Sequence, residues 1–205
     1  AILPEKEKIL QALPESFIFY LPKDIVSGDF YWFTQTKNGE VFIAVADCTG
    51  HGVPGAFMSM IGSNTLTKIV AEQNITEPAE ILNRLNGEIK SALKQKVDSA
   101  SSKDGMPTGT SVKDGMDIAL VRISPQGEVN KSFPLGEVRW GVQYAGANRP
   151  LIYFENGELK EMVPDKTAIG GYTDSIYLFN NHSLLLKKDS MLYLFSDGYA
   201  DQFGG

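Results

Sequence analysis

Two apolar runs in this chain each stop at an aspartate followed by a glycine turn. The first reads Val41-Phe42-Ile43-Ala44-Val45-Ala46-Asp47 and continues Cys48-Thr49-Gly50-His51-Gly52. The second reads Met191-Leu192-Tyr193-Leu194-Phe195-Ser196-Asp197-Gly198. Apolar runs without polar alternation predict strands covered on both faces. A carboxylate at the edge of such a core is costly unless positive charge meets it. No Lys or Arg stands near either strand end in the sequence. A divalent cation shared by several carboxylates is therefore the expected partner.

The chain has 205 residues, enough for one domain with one sizeable core. Its net charge of −6 argues against a nucleic-acid surface, which needs clustered Lys and Arg. No apolar run nears the ~20 residues of a membrane span, and no charged segment followed by an apolar one has the pattern of a signal peptide. A single cysteine excludes an internal disulfide framework and fits a reducing compartment. Cytoplasm is the expected location, either free or as the cytoplasmic part of a larger membrane-anchored protein. The start at Ala1-Ile2-Leu3-Pro4 and the stop at Gly204-Gly205 read as the cut ends of an excised domain.

Residues 5–13 have the pattern of a short amphipathic helix, with Ile9, Leu10 and Leu13 on one side. Residues 16–22 and 26–36 read as strands, followed by a turn at Gly39 and the strand ending at Asp47. Pro54 suits the first turn of a helix running to about residue 72. A second helix is expected over 77–95, with Ile81, Leu85, Ile89 and Leu93 four apart and Thr76 as a candidate N-cap. Residues 96–113, rich in Ser, Gly, Lys and Asp, read as a mobile loop. Strands are expected at 116–124, 138–146, 150–155, 158–163, 175–179, 183–187 and 190–196, with a tight hairpin at Asn156-Gly157. Strands, then two helices, then strands again predict an α+β fold of antiparallel sheets.

The chain holds no P-loop, no dinucleotide fingerprint and no G-x-S-x-G elbow. Cys48 and His51 stand three apart. A thiolate–imidazole pair is one reading, and plain packing of a small cysteine is the other. With one Cys and two His, a zinc site is poorly supplied. Oxygen donors are better represented. Asp29 follows Ser27-Gly28, Asp47 and Asp197 end apolar runs, and Asp201 lies one helical turn beyond Asp197. Mg²⁺ and Mn²⁺ take such ligands. Two of them about 4 Å apart activate water and clamp a phosphoryl oxygen. The plainer alternative makes each aspartate a turn former or helix cap.

Val26-Ser27-Gly28-Asp29-Phe30-Tyr31, Ala46-Asp47-Cys48-Thr49-Gly50-His51-Gly52 and Ser196-Asp197-Gly198 resemble the metal-binding motifs of PPM-type metal-dependent Ser/Thr protein phosphatases. Their spacing is closest to the bacterial SpoIIE-like branch, and the turns at 144–150 and 169–170 resemble two more of its motifs. The resemblance implies a four-layer α-β-β-α sandwich of two antiparallel sheets flanked by helices, here truncated at the C-terminus. Residues 1–16 would be an N-terminal linker or switch helix, and 17–205 the phosphatase domain. It also implies a dinuclear Mg²⁺ or Mn²⁺ site with an optional third ion. Metal-activated water would attack a phosphoserine or phosphothreonine without a phosphoenzyme. By position, Asp47 would bridge two metals, Asp29 and the Cys48 carbonyl would complete one, and Asp197 would hold the other. Asp201 would lie near the third, and Asp117 is a further acidic candidate. His51 resembles a histidine proposed as general acid, with altered spacing, so Asp47, Asp197 and His51 form the expected catalytic set.

The sequence also departs from that pattern. The family's final aspartate motif is absent before Gly205, and no N-terminal arginine matches the phosphate-gripping arginine of eukaryotic relatives. Metals alone are then expected to bind the phosphate. The leading expectation is a phosphatase module acting on a phosphorylated regulator of the anti-sigma-factor-antagonist type. An upstream sensor domain of the same chain would control it, and it would be capable of homodimerising. The alternative is a catalytically silent regulatory or partner-binding domain of the same fold. A thiol enzyme would lose activity with Cys48→Ser and need no metal, and the opposite is expected.

Overall fold

The computed structural model describes residues 3–22, 25–95, 114–124, 139–187 and 189–199. In chain order these form α1 (Lys6–Ala12), β1 (Phe30–Gln35), β2 (Val41–Cys48), α2 (Gly52–Thr67) and α3 (Pro78–Ala92). Then follow β3 (Gly115–Ser124), β4 (Arg139–Ala147), β5 (Leu151–Glu155), β6 (Glu158–Met162), β7 (Ile169–Gly170), β8 (His182–Lys187) and β9 (Met191–Tyr193). The large sheet has the order β1-β2-β3-β4-β8, with the short β7 also paired to β3. The small sheet has the order β6-β5-β9. All strand pairs in both are antiparallel. The α+β fold with two antiparallel sheets and helices is the architecture expected.

Alternate residues of the central strands serve two different cores, as the two-residue period of a strand requires. Phe42, Ala44, Ala46, Cys48, Ile118 and Leu120 join Met58, Leu66, Ile81, Leu82, Leu85 and Ile89 of α2 and α3. Ala119 and Val121 instead join Tyr144, Val142, Leu151 and Leu186, with Tyr153, Met162 and Leu192 of the small sheet packed against them. This is why β2 and β3 carry apolar residues on both faces. Asn156 (φ 55°) and Gly157 (φ 83°) make the expected hairpin between β5 and β6, where two successive positive φ angles favour this dipeptide.

Several expectations shift. The helix begun at Gly52 is α-helical only to Thr67, and Lys68–Glu72 widens into a π-helical turn closed by the Gln73 amide on the Lys68 carbonyl. The wider turn keeps Ile69 and Val70 both buried. At the junction, Thr67 Oγ1 bonds back to the Ser63 carbonyl and accepts the Trp32 indole N–H. Helix α3 starts at Pro78 after Glu77, not after a Thr76 cap. Residues 16–22 join no ladder, and Phe17, Phe19 and Leu21 are exposed. Their alternation finds no pairing strand among the described residues. Residues 175–179 are held by turn bonds instead, the Tyr177 amide to the Asp174 carbonyl and the Phe179 amide to Asn83 Oδ1. The strand expected over 190–196 is regular only from Met191 to Tyr193. The 96–113 loop lies outside the described residues. No described helix is long and apolar enough to cross a membrane.

Candidate functional site

Register alone brings three aspartates together. Phe30 pairs with Ala46, so Asp29, one residue earlier, arrives opposite Asp47. Asp47 pairs directly with Asp117 on β3. All three precede or follow core-facing residues by one position, so all belong to the face turned toward the small sheet. Asp197 comes from the other side. It opens a short 3₁₀ turn after β9. The two sheets therefore deliver four carboxylates to one end of the sandwich.

Glycine lets the supporting loops close on each other. A Cβ at Gly28 would lie 2.9 Å from the Cys48 carbonyl oxygen and 2.8 Å from that of Gly50. Ser59 on α2 ties this crossing down by hydrogen bonding to the carbonyls of Ser27 (2.8 Å), Gly28 (2.8 Å) and Gly55 (2.9 Å). Asp29 is aimed by its own amide on Ser27 Oγ and by Ser196 Oγ, which donates to its Oδ2 at 2.6 Å. Ser196 thus links the small-sheet side to the Asp29 side.

The centre of the cluster is a guanidinium. Arg149 Nη2 lies 2.5 Å from Asp47 Oδ2, 2.5 Å from Asp197 Oδ2 and 3.9 Å from Asp117 Oδ2. The expectation that no cation meets these strand ends is corrected here. Arg149 is 102 residues from Asp47 and 48 from Asp197 along the chain, and only the turn after β4 brings it in. That turn is tightly built. The Tyr144 hydroxyl donates to the Arg149 carbonyl at 2.6 Å, and the Arg149 amide bonds the Ala147 carbonyl. Asn148 adopts φ 56° and its Nδ2 donates to Asp117 Oδ1 at 2.8 Å. The sequence did mark 144–150 as a motif turn, but nothing in its linear spacing pointed Arg149 at the aspartates.

One guanidinium does not balance four carboxylates. Burial, then the charges of Asp29 and Asp197, push the Asp47 carboxyl up to about 7 despite Arg149. Burial also pulls Asp197 upward, but the hydrogen bond and charge of Arg149 outweigh it and hold that carboxyl below its ordinary value. For Arg149, burial is outweighed in the same way by Asp197, Asp47 and Asp117, so its pKa rises. Burial pushes the Cys48 thiol up to about 12. A buried, protonated thiol is a poor nucleophile, which removes the basis for thiol chemistry. His51 is exposed at the N-cap of α2, with no side-chain capping bond. Asp201 lies outside the described residues.

The donor set fits a hard divalent cation in its chemistry. Asp29, Asp47, Asp197 and the Cys48 carbonyl offer only oxygen, and burial together with the neighbouring carboxylates raises Asp47. Among the described residues, however, no three acidic, thiol or imidazole groups already stand in an ion-holding arrangement. Arg149 stands between two of them.

Comparison with known proteins adds the following. The family model for stage II sporulation protein E (SpoIIE) matches residues 37–204. The SiaA-PP2C domain of Pseudomonas aeruginosa is 28% identical, with a TM-score of 0.73 over 100% of this chain and 69% of its own. The PP2C phosphatase domain of SpoIIE from Bacillus subtilis, with a fragment of its regulatory domain, is 19% identical with a TM-score of 0.53. That match covers 85% of this chain and 41% of the other. RsbX in complex with magnesium is 18% identical with a TM-score of 0.55, covering 88% of this chain and 72% of its own. None of the curated proteins compared with the chain matches it.

Proposed function

Because the chain belongs to the SpoIIE family of bacterial PP2C-type (PPM) phosphatase domains, whose members are metal-dependent protein phosphatases, we propose that it hydrolyses phosphoserine or phosphothreonine on a protein. The observation that carries this reading is the meeting of Asp29, Asp47, Asp117 and Asp197, from both sheets, at one end of the sandwich. Asp29, Asp47, Asp197 and the Cys48 carbonyl would hold two Mg²⁺ or Mn²⁺ ions, with Asp201 near a third. When bound, such ions supply the Lewis acidity that activates water and neutralises phosphoryl oxygens. The residues of the chain do the rest. Ser196 orients Asp29, Ser59 fixes the loops at Gly28 and Gly55, and His51, the N-cap of α2, would be the candidate acid for the leaving alkoxide.

The substrate class we favour is a phosphorylated regulator of the anti-sigma-factor-antagonist type, handled in the cytoplasm. Residues 1–16 would join an upstream sensor domain, with homodimerisation as a further element of control. The test is phosphate release from a phosphoserine protein with added Mn²⁺. Turnover that ignores Mn²⁺, or that persists in Asp47→Ala, rules the reading out. The second reading, a silent domain of the same fold, is favoured by Arg149 lying across Asp47 and Asp197. It predicts no Mn²⁺ binding at all.

A further inference from the structure

The geometry points to Arg149 as an exchangeable cation: it neutralises Asp47 and Asp197 until a divalent ion takes their oxygens, and its released guanidinium then grips the phosphoryl group of the substrate. This rests on the phosphatase reading and gives a phosphate-positioning role to a residue of the 144–150 turn to which the resemblance assigned none.

Three observations support it. First, Arg149 engages its two acids poorly. A guanidinium binds a carboxylate best through two parallel N–H···O bonds. Here one nitrogen, Nη2, serves both Asp47 and Asp197. Second, Nε of the same group is buried and has no hydrogen-bond partner among the described residues. A buried donor left unpaired is unfavourable, and an oxyanion is one acceptor that would satisfy it. Phosphoryl oxygens suit a guanidinium fork well. Third, the backbone that carries Arg149 is fixed independently of the acids. Tyr144 holds its carbonyl, the Ala147 carbonyl holds its amide, and the preceding Asn148 amide bonds the Asp165 carbonyl. Asp165 in turn accepts from the Tyr177 hydroxyl and from Asn180. Loss of the Asp47 and Asp197 contacts therefore frees the side chain without freeing its root. The guanidinium stays within one side-chain length of the carboxylates.

A divalent ion and Nη2 want the same oxygens, so Arg149 competes with the metal. The chemistry of the reaction is unchanged: water adds to phosphorus, the serine or threonine oxygen leaves, and that oxygen takes a proton. Arg149 carries positive charge to the phosphoryl oxygens and transfers nothing.

The test uses the whole chain with Arg149→Gln and Arg149→Lys, and two probes, Mn²⁺ alone and inorganic phosphate. In calorimetric titration without substrate, Arg149→Gln should bind Mn²⁺ about tenfold more tightly than the wild type, because a competing cation is gone. With saturating Mg²⁺, the same variant should bind inorganic phosphate about tenfold more weakly, with a matching rise in KM for a phosphoserine protein and a smaller change in kcat. Arg149→Lys should restore part of the phosphate affinity. Mn²⁺ affinity equal to or below that of the wild type would overturn the exchange. Unchanged phosphate affinity in Arg149→Gln would overturn the grip. A wild type that binds Mn²⁺ but hydrolyses no phosphoserine would defeat the phosphatase reading instead, and the Mn²⁺ comparison would still decide the exchange.

Discussion

Tyr144 lies beneath the site without touching its carboxylates, so it tests how the turn after β4 is held. The residue is fully buried, and its hydroxyl donates to the Arg149 carbonyl at 2.6 Å. Burial, then the charges of Asp165 and Glu161, raise its pKa, so it stays a neutral donor. Tyr144→Phe removes that bond and leaves the carbonyl short of a partner, at a cost of about 1–2 kcal/mol. For a chain of this size that lowers Tm by about 3–6 °C. Gly146 faces the same hydroxyl. A Cβ there would overlap the Tyr144 oxygen outright and come within 2.5 Å of the Arg149 carbonyl oxygen. Gly146→Ala should therefore cost at least about 2–3 kcal/mol by overpacking. Because both changes crowd or empty one spot, they should not be additive. In Tyr144→Phe/Gly146→Ala the hydroxyl is gone, and about 1 kcal/mol of the summed loss should be recovered. Thermal unfolding followed by circular dichroism in EDTA measures all three variants. A Tyr144→Phe shift under about 1 °C, or a double mutant equal to the sum, would refute the account of this turn.

Four further outcomes follow from the same structure. Asn86 is fully buried and bridges α3 to the 170–174 turn, donating to the Asp174 carbonyl (2.9 Å) and accepting from the Gly170 amide (2.8 Å). Asn86→Leu strands both groups and should lower stability by about 2–4 kcal/mol in urea titration with the m value unchanged. An Asp47 pKa of about 7 lies above its ordinary value, so the stability gained by holding that proton is complete at low pH and lost as pH rises through about 7. Asp47→Asn should thus match the wild type only near about pH 3, where the unfolded carboxyl is protonated too, and exceed it increasingly as pH rises through about 7 to about 8 in EDTA, whereas a pH-independent difference contradicts the shift. In the wild type, Mn²⁺ affinity should rise over roughly the same interval as the proton leaves. Finally, Cys48, its thiol pushed up to about 12, should resist iodoacetamide at about pH 8 until urea is added, and Cys48→Ser should leave metal-dependent turnover in place.

Strand period and turn chemistry were local, and so they were legible. The apolar run at 41–47 announced a strand covered on both faces, and Asn156-Gly157 announced its hairpin. Helix α3 followed from Ile81, Leu85 and Ile89 because a fixed spacing maps to one face. The same logic failed at 16–22 and 175–179. Alternation there had the strand period, but a ladder needs a partner strand, which the local pattern cannot supply. The π-helical turn at 68–72 was hidden for a related reason, since Trp32 reaches its flank from another element.

The site divides along the same line. Asp29, Asp47 and Asp197 could be named from sequence because each sits beside a glycine turn at a predicted strand end or start. That Asp29, Asp47 and Asp117 share one face follows from β1–β2–β3 register, which is a pairing and not a pattern. Arg149 belongs wholly to the tertiary structure. Its carboxylate partners lie 102 and 48 residues away, and Tyr144, Gly146 and Asn148 must fold the turn before its side chain meets them. The sequence alone determined that carboxylates would gather at the strand ends and need positive charge. Only the folded chain decided that an arginine supplies it, because the energy of a charge pair depends on distance in space and not along the chain.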